Sequence, residues 1–281
     1  MTRESVMRFR FLLIALSLML IAAPAWSRSE SLTFGIVPQE SSSRLADQWT
    51  PLMRYLSTRL NRPVRFMTAP DIPTFEKRVL AGEYDIAYMN PYHYVVFSNT
   101  PGYQAIAKEG GKQIRGIVVV PESAPAEDLE DLDGMTVAFP APAAFAATIL
   151  VRAELERLGV SYQPRFVGSH ESVYLNVQRG FAGAGGGVER TLAIAMRERL
   201  DGVRVLWRSP GYTPHAFAVH PDMDPVLMQT VQSLLVNLAD TDEGRSLLDR
   251  AHLKPLVRAA DSDWNDVRQL GLDFIKTSGA P

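Results

Sequence analysis

The chain has 281 residues, with 29 basic and 31 acidic side chains that leave a formal charge of −2, and no cysteine. That length suits one large domain or two of ordinary size, and the even mix of apolar, charged, Gly and Pro residues excludes a disordered or fibrous chain. Near-neutrality offers no overall attraction for nucleic acid or an anionic membrane surface, and the missing cysteine removes disulfides, thiolate metal sites, a Cys nucleophile and a lipid-modified N-terminal Cys.

Arg3, Arg8 and Arg10 precede an apolar run over residues 11–23, and Ala23, Pro24 and Ala25 supply small residues for cleavage. This is the pattern of a secretory signal peptide, assigned to residues 1–27. A membrane anchor is the alternative, but the run is shorter than the roughly 20 apolar residues of a spanning helix. The expected product is a freely soluble periplasmic protein.

Residues 32–37 read as a buried strand, followed by a turn at 38–41. Leu45, Trp49, Leu52, Met53, Leu56 and Leu60 recur at helical spacing, with Ser42 or Ser43 as cap and Asn61 near the stop. Pro51 inside that pattern implies a kink or a re-start. Next come an expected strand at 64–68, a helix over 72–81 closed by Gly82, and a strand at 84–88. That strand runs into Asn90 and Pro91, a good N-cap and first helical residue for a helix to Phe97.

Residues 114–120 are apolar and β-branched, which predicts a deeply buried strand, and the polar stretch 121–133 is read as the first crossing between lobes. The alternation then repeats: strand 136–139, helix 143–158 closed by Gly159, strand 165–167, helix 170–179 closed by Gly180. The Gly-rich segment 183–187 lacks both the Lys-Ser/Thr of a P-loop and the Rossmann spacing, so close approach of the lobes is its expected role, ahead of a helix over 189–199. Strands at 203–207 and 215–220 and helices over 224–239, 241–251 and 262–274 complete the chain. Two β-α-β-α halves joined by two extended crossings predict an α/β protein of two lobes with a cleft between them. Lobe I is assigned to 28–118 and 214–281, lobe II to 119–213.

Ligands of open α/β sheets lie beyond the carboxyl ends of strands, where loops enter helix N-termini. Such junctions fall at 39–43, 88–92, 139–145 and 169–172, with 184–189 as a fifth. Each helix start exposes unsatisfied N–H groups and a positive dipole end, so several converging on one cleft would hold an anion without a positively charged side chain. Hydrogen-bonding side chains crowd these junctions: Gln39, Tyr88, Asn90, Tyr92, Ser169, His170 and Tyr174, the last one turn beyond His170 on the same helical face. His93 is left to the core. Glu40, Glu171 and Glu189 stand near the expected cleft, and Glu189 is a candidate acceptor for a protonated ligand oxygen or an amine. No nucleophile elbow or His-Glu-x-x-His motif occurs, and Ser169, His170 and Glu171 diverge as helical neighbours rather than forming a triad. Binding without catalysis, cofactor or metal is the expectation.

At these residues the chain resembles the phosphate/phosphite/phosphonate family of transporter substrate-binding proteins. The carriers are GIVPQES at 35–41, WTPL at 49–52, GEYDIAY at 82–88, GIVVV at 116–120, VAFP at 137–140 and SHESVY at 169–174 followed by Gly180. The resemblance implies a two-lobed periplasmic binding protein of type II that closes on its ligand and docks on the permease of an ABC importer. It also implies ligand contacts from Gln39, Tyr88, the second-lobe helix start at 143–146, and Ser169 with His170. Where phosphonate binders carry a hydroxyl-rich Ser-Thr-Ser, this chain reads PAPAAFAAT over 140–148, leaving the backbone N–H groups of Ala144, Phe145 and Ala146. Each missing charge-assisted bond forfeits about 1.5–3 kcal/mol, which favours a smaller or less hydrated oxyanion such as phosphite over phosphate or a phosphonate. The alternative function is a monomeric sensory protein that presents an oxyanion to a two-component histidine kinase; the thiolate chemistry of arsenite-sensing relatives is closed to a chain without cysteine.

Overall fold

The computed structural model describes residues 31–198 and 200–270; the segment read as a signal peptide and the end of the helix expected to reach residue 274 lie outside them. β1 (Leu32–Ile36) is buried except for the half-buried Thr33 and leads into α1 (Ser42–Leu60), whose N-cap is Ser41 and whose left-handed stop is Asn61. The helix runs unbroken through Pro51, so there is no re-start there. Pro51 cannot donate to the Asp47 carbonyl four residues back, and Arg250 Nε donates to that carbonyl instead, at 2.8 Å. β2 (Val64–Met67), α2 (Ile72–Leu80), β3 (Ile86–Met89) and α3 (Pro91–Phe97) follow. Gly35 in β1 is required by close approach: a Cβ there would lie 2.4 Å from the Tyr84 ring.

β4 (Gln104–Glu109) went unread in the sequence, because its short run mixes polar and small residues. The chain then enters a second sheet through β5 (Gly116–Pro121), β6 (Thr136–Phe139), a π-helical turn (Phe145–Ile149) continuing into α4 (Leu150–Arg157), β7 (Gln163–Phe166), α5 (His170–Gln178), β8 (Ala184–Val188), α6 (Glu189–Arg197) and β9 (Val203–Arg208). β10 (Ala216–Val219), α7 (Pro225–Val236), α8 (Asp242–Arg250), β11 (Leu256–Arg258) and α9 (Asn265–Arg268) return to the first.

The first sheet has the order β11-β4-β10-β3-β1-β2 and the second β7-β6-β8-β5-β9. Both are mixed: β1 runs parallel to β2 and β3 while β10 is antiparallel to β3, and β6 runs parallel to β7 and β8 while β5 is antiparallel to β8 and β9. Because β5 hydrogen-bonds along its whole length to second-sheet strands, it belongs to lobe II. The crossing therefore lies ahead of it, at 110–115, rather than at residue 118 or over 121–133. The return crossing occupies 209–215, and reciprocal backbone bonds of 2.9 and 3.0 Å between Ile114 and Tyr212 tie the two crossings together.

The Gly-rich segment is not a loop where lobes approach but a central strand of lobe II. Helices press on β8 from both faces: a Cβ on Gly186 would stand 1.9 Å from the Ala147 carbonyl oxygen, and one on Gly187 would stand 2.4 Å from Tyr174 Oη. Glycine is selected by packing there, against its weak strand preference. The buried residues at the start of the π-helical turn pack into the core of lobe I, so this helix start is wedged between the lobes.

Candidate functional site

The strand ends, both crossings and three lobe-II helix starts meet at one place. A cavity of about 260 Å³ is lined from lobe I by Gln39, Gln48, Trp49 and Tyr88, from the crossings by residues 112–115 and 214–215, and from lobe II by residues 188–190. It shares Val37, Gln39, Ile114, Val188 and His215 with a narrow recess of about 10 Å³, whose other walls include Asn90, residues 144–147 and His170. On the far side, His170 and Gln39 border a third cavity of about 100 Å³ with Ser169, Glu171 and Glu198.

All five expected junctions reach these walls, but they are not equivalent. Ser41, Asn90 and Ser169 each place a side-chain oxygen over their own helix start, accepting from Arg44 N, His93 N and Ser172 N at 3.4, 2.8 and 3.1 Å. The helix beginning at Phe145 has no side-chain cap. Its one hydroxyl, on Thr148, donates back to the Ala141 carbonyl at 2.7 Å. The start of α6 also lacks a side-chain cap. The uncapped start at Phe145 therefore presents backbone donors and a positive dipole end to the recess.

His170 stands beside that start. Its ring is buried, its Nδ1 has no hydrogen-bond partner, and burial, aided by the nearby Arg190 charge, pushes its pKa down to about 4. It is a neutral imidazole at pH 7, able to donate from whichever nitrogen carries the proton. His215 is held neutral in the same way, by burial first and by Lys112 and Arg190 next.

Across the cleft, Gln39 is fixed at both ends of its amide. Gln39 Nε2 lies 2.9 Å from His215 Nε2, and Gln39 Oε1 accepts from Arg190 at 3.2 Å. The His215 ring stacks on Tyr88 at 5.0 Å and 17°, and Trp49 closes on the other side of Tyr88 at 4.8 Å. Burial, with Glu109 adding to it, raises the Tyr88 hydroxyl far above its ordinary pKa, so it stays protonated. Asn90 turns its other amide end to the Ala143 carbonyl at 3.0 Å, joining the two lobes. Arg190 does the same through Glu40 at 3.3 Å, as does Arg44 through Glu198 at 2.9 Å.

Gln39, Tyr88, Asn90, Ala144, Phe145, Ala146 and His170 thus stand around the cavity and its recess, and Ser169 lines the third cavity as the cap of α5. Glu189 lines the main cavity with its carboxylate bound to Arg208 at 2.7 Å. Two expected contacts lie elsewhere. Tyr174 is fully buried in lobe II, its hydroxyl 2.7 Å from Thr191 Oγ1 and bonded to both backbone groups of Val188, where it clamps β8 to α6. One turn past the helix start, the same face no longer looks into the cleft but down onto the sheet. Tyr92 packs in the lobe-I core beside His93, and burial lifts its pKa to about 12. His93 is in that core, 3.0 Å from the buried Glu76 carboxylate.

Sequence reasoning missed Arg190, His215, Lys112 and Trp49. The signals that mark His215 and Arg190 are a polar residue opening an apolar strand and a cation just inside an uncapped helix.

Two mixed α/β sheets joined by paired crossings, with polar groups of both halves gathered at the junction, define a two-lobed binding protein of type II. Residues 34–264 match the family described as ABC transporter, phosphonate, periplasmic substrate-binding protein, and the chain belongs to that family. It is 24% identical over 273 residues to the phosphate-import protein PhnD of Mycolicibacterium smegmatis, covering 86% of this chain and 85% of that one. The phosphonates-binding periplasmic protein of Escherichia coli is 22% identical over 289 residues, covering 92% and 81%. In structure the chain is similar to a PhnD protein of Prochlorococcus marinus in complex with methylphosphonate, with a TM-score of 0.79 at 16% identity over 88% of this chain and 99% of that one. Members of the family are periplasmic substrate-binding proteins that work with ABC transporters rather than enzymes.

Proposed function

We propose that this chain, exported by a cleaved signal peptide, captures a small oxyanion of the phosphite, phosphate or phosphonate class as a monomer and delivers it to the permease of an ABC importer. The observation that carries the reading is the uncapped helix start at Phe145, set beside a buried neutral His170 whose Nδ1 lacks a partner, in a recess that Gln39 and Asn90 also line. Backbone amides and a neutral imidazole hold an anion by dipoles aimed at it, in a site from which much of the water is displaced. The recess holds about one water's worth of space, so seating a tetrahedral anion requires the lobes to part and close again about the crossings. The names of the relatives support the ligand class, and the family supports import over presentation to a sensor kinase.

Titration calorimetry of the mature protein with phosphite, phosphate, methylphosphonate and sulfate tests this. At least one phosphorus oxyanion is expected to bind, stoichiometrically and without being consumed. His170→Ala is expected to weaken that binding by about 10- to 100-fold while the melting temperature of the free protein stays nearly unchanged. Absence of binding by every one of these anions would sink the proposal.

A further inference from the structure

The wall of the main cavity carries more positive than negative side chains. Lys112, Arg115 and Arg190 line it with one carboxylate, Glu189, and that carboxylate is already bound to Arg208 at 2.7 Å. Two further carboxylates stand behind the wall, each engaged: Glu109 holds Lys112 and accepts from the backbone of Lys254, and Glu40 holds Arg190. Arg115 differs from the other two. Its guanidinium donates to the Ser209 carbonyl and to Gln113 Oε1, both at 3.1 Å, it has no carboxylate partner among the described residues, and it is exposed at the cavity's edge.

The cavity is also roomier than a lone tetrahedral anion needs. Its 260 Å³ falls just under the roughly 300–1,000 Å³ of pockets that enclose drug-sized ligands. The Tyr88, Trp49 and His215 rings give it an apolar flank along which a short carbon substituent can lie.

We infer, on the footing of the oxyanion role proposed above, that the ligand is an organophosphonate whose substituent ends in a second acidic group, read by Arg115 and Lys112. The phosphorus oxygens meet the helix start at Phe145 and His170; the substituent runs through the main cavity to the basic edge. A carboxylate there accepts a forked pair of bonds from the Arg115 guanidinium. A terminal ammonium instead meets two cations, with each neighbouring carboxylate already paired. Glu189 is then a support for Arg208 and not the receiver of an amine.

Calorimetric titration with methylphosphonate, phosphonoacetate and aminomethylphosphonate at low salt tests the inference. Phosphonoacetate is expected to bind about five- to tenfold more tightly than methylphosphonate, and aminomethylphosphonate more weakly than either. In Arg115→Gln the phosphonoacetate to methylphosphonate ratio is expected to fall toward one, and raising the salt is expected to shrink it in the unaltered protein. Equal affinity for the three compounds, or preference for the amine, overturns the inference and leaves the oxyanion role standing. A gain that survives in both Arg115→Gln and Lys112→Gln overturns the assignment to this basic edge. Failure of all three to bind overturns the inference, and only failure of phosphite and phosphate as well removes the oxyanion role itself.

Discussion

Two of the helix starts at the cleft, those following Asn90 and Ala144, are finished in opposite ways. In lobe I, Asn90 closes its own helix by accepting from His93 N and uses its amide nitrogen on the Ala143 carbonyl. In lobe II, the helix starting at Phe145 follows four residues without a side-chain donor or acceptor and is left open. A sealed start is a structural joint, whereas an open one beside a buried, partnerless imidazole leaves backbone donors unsatisfied. Of the five expected helix ends, three are capped by their own side chains, while the starts at Phe145 and of α6 are not, and both reach the recess.

The largest test of this contrast uses pH. Folded His170 takes up a proton only near pH 4, while in the unfolded chain it does so near 6.5. Between these values the unfolded chain binds more protons, so stability is full above about pH 6.5 and declines as the pH falls toward 4, by on the order of 3 kcal/mol for this group. His215 acts in the same direction. Urea midpoints measured from pH 7 to pH 4 should show the decline, and His170→Gln should flatten it. A profile identical in both proteins would mean that the imidazole is not buried beside the open helix start.

A middle-sized effect comes from the sealed end. Asn90→Ala removes the cap and leaves His93 N and the Ala143 carbonyl without their bonds, an expected loss of about 2 kcal/mol in the free protein. Thermal unfolding that does not change would make the two ends alike. The smallest effect belongs to the open end: Ala144→Ser supplies the missing cap and is expected to raise stability by up to about 1 kcal/mol, read from the denaturant midpoint. No gain would show that those amides are already satisfied.

The parts legible in the sequence were those governed by neighbours along the chain. Asn90 before Pro91, Ser169 three residues before Ser172, and Gly159 and Gly180 after their helices act within one turn, and each sits where the local chemistry placed it. What could not be read depended on contacts far away in sequence. Glycine is a poor strand former, and only the pressure of Val173, Ala147 and Tyr174 explains why residues 185–187 of this strand have no side chains. Arg190 and Gln39 are 151 residues apart and Gln39 and His215 are 176 apart, so no periodicity could have joined them. The reading of Tyr174 as a ligand contact followed the helical face correctly but not the depth, since one turn carries that face from the cleft into the lobe.

The fit of the Ala147 carbonyl against Gly186 bears on how this receptor can change its preferences over evolutionary time. A methyl group on either side of that contact would dislodge the anchoring end of the pocket, so innovation there is blocked. Tolerance lies instead in the connecting ribbon, where Gln113 and Arg115 are exposed and free to vary. Descendants of this protein would retune what they import by altering the bridge between the halves while inheriting the anchor unchanged.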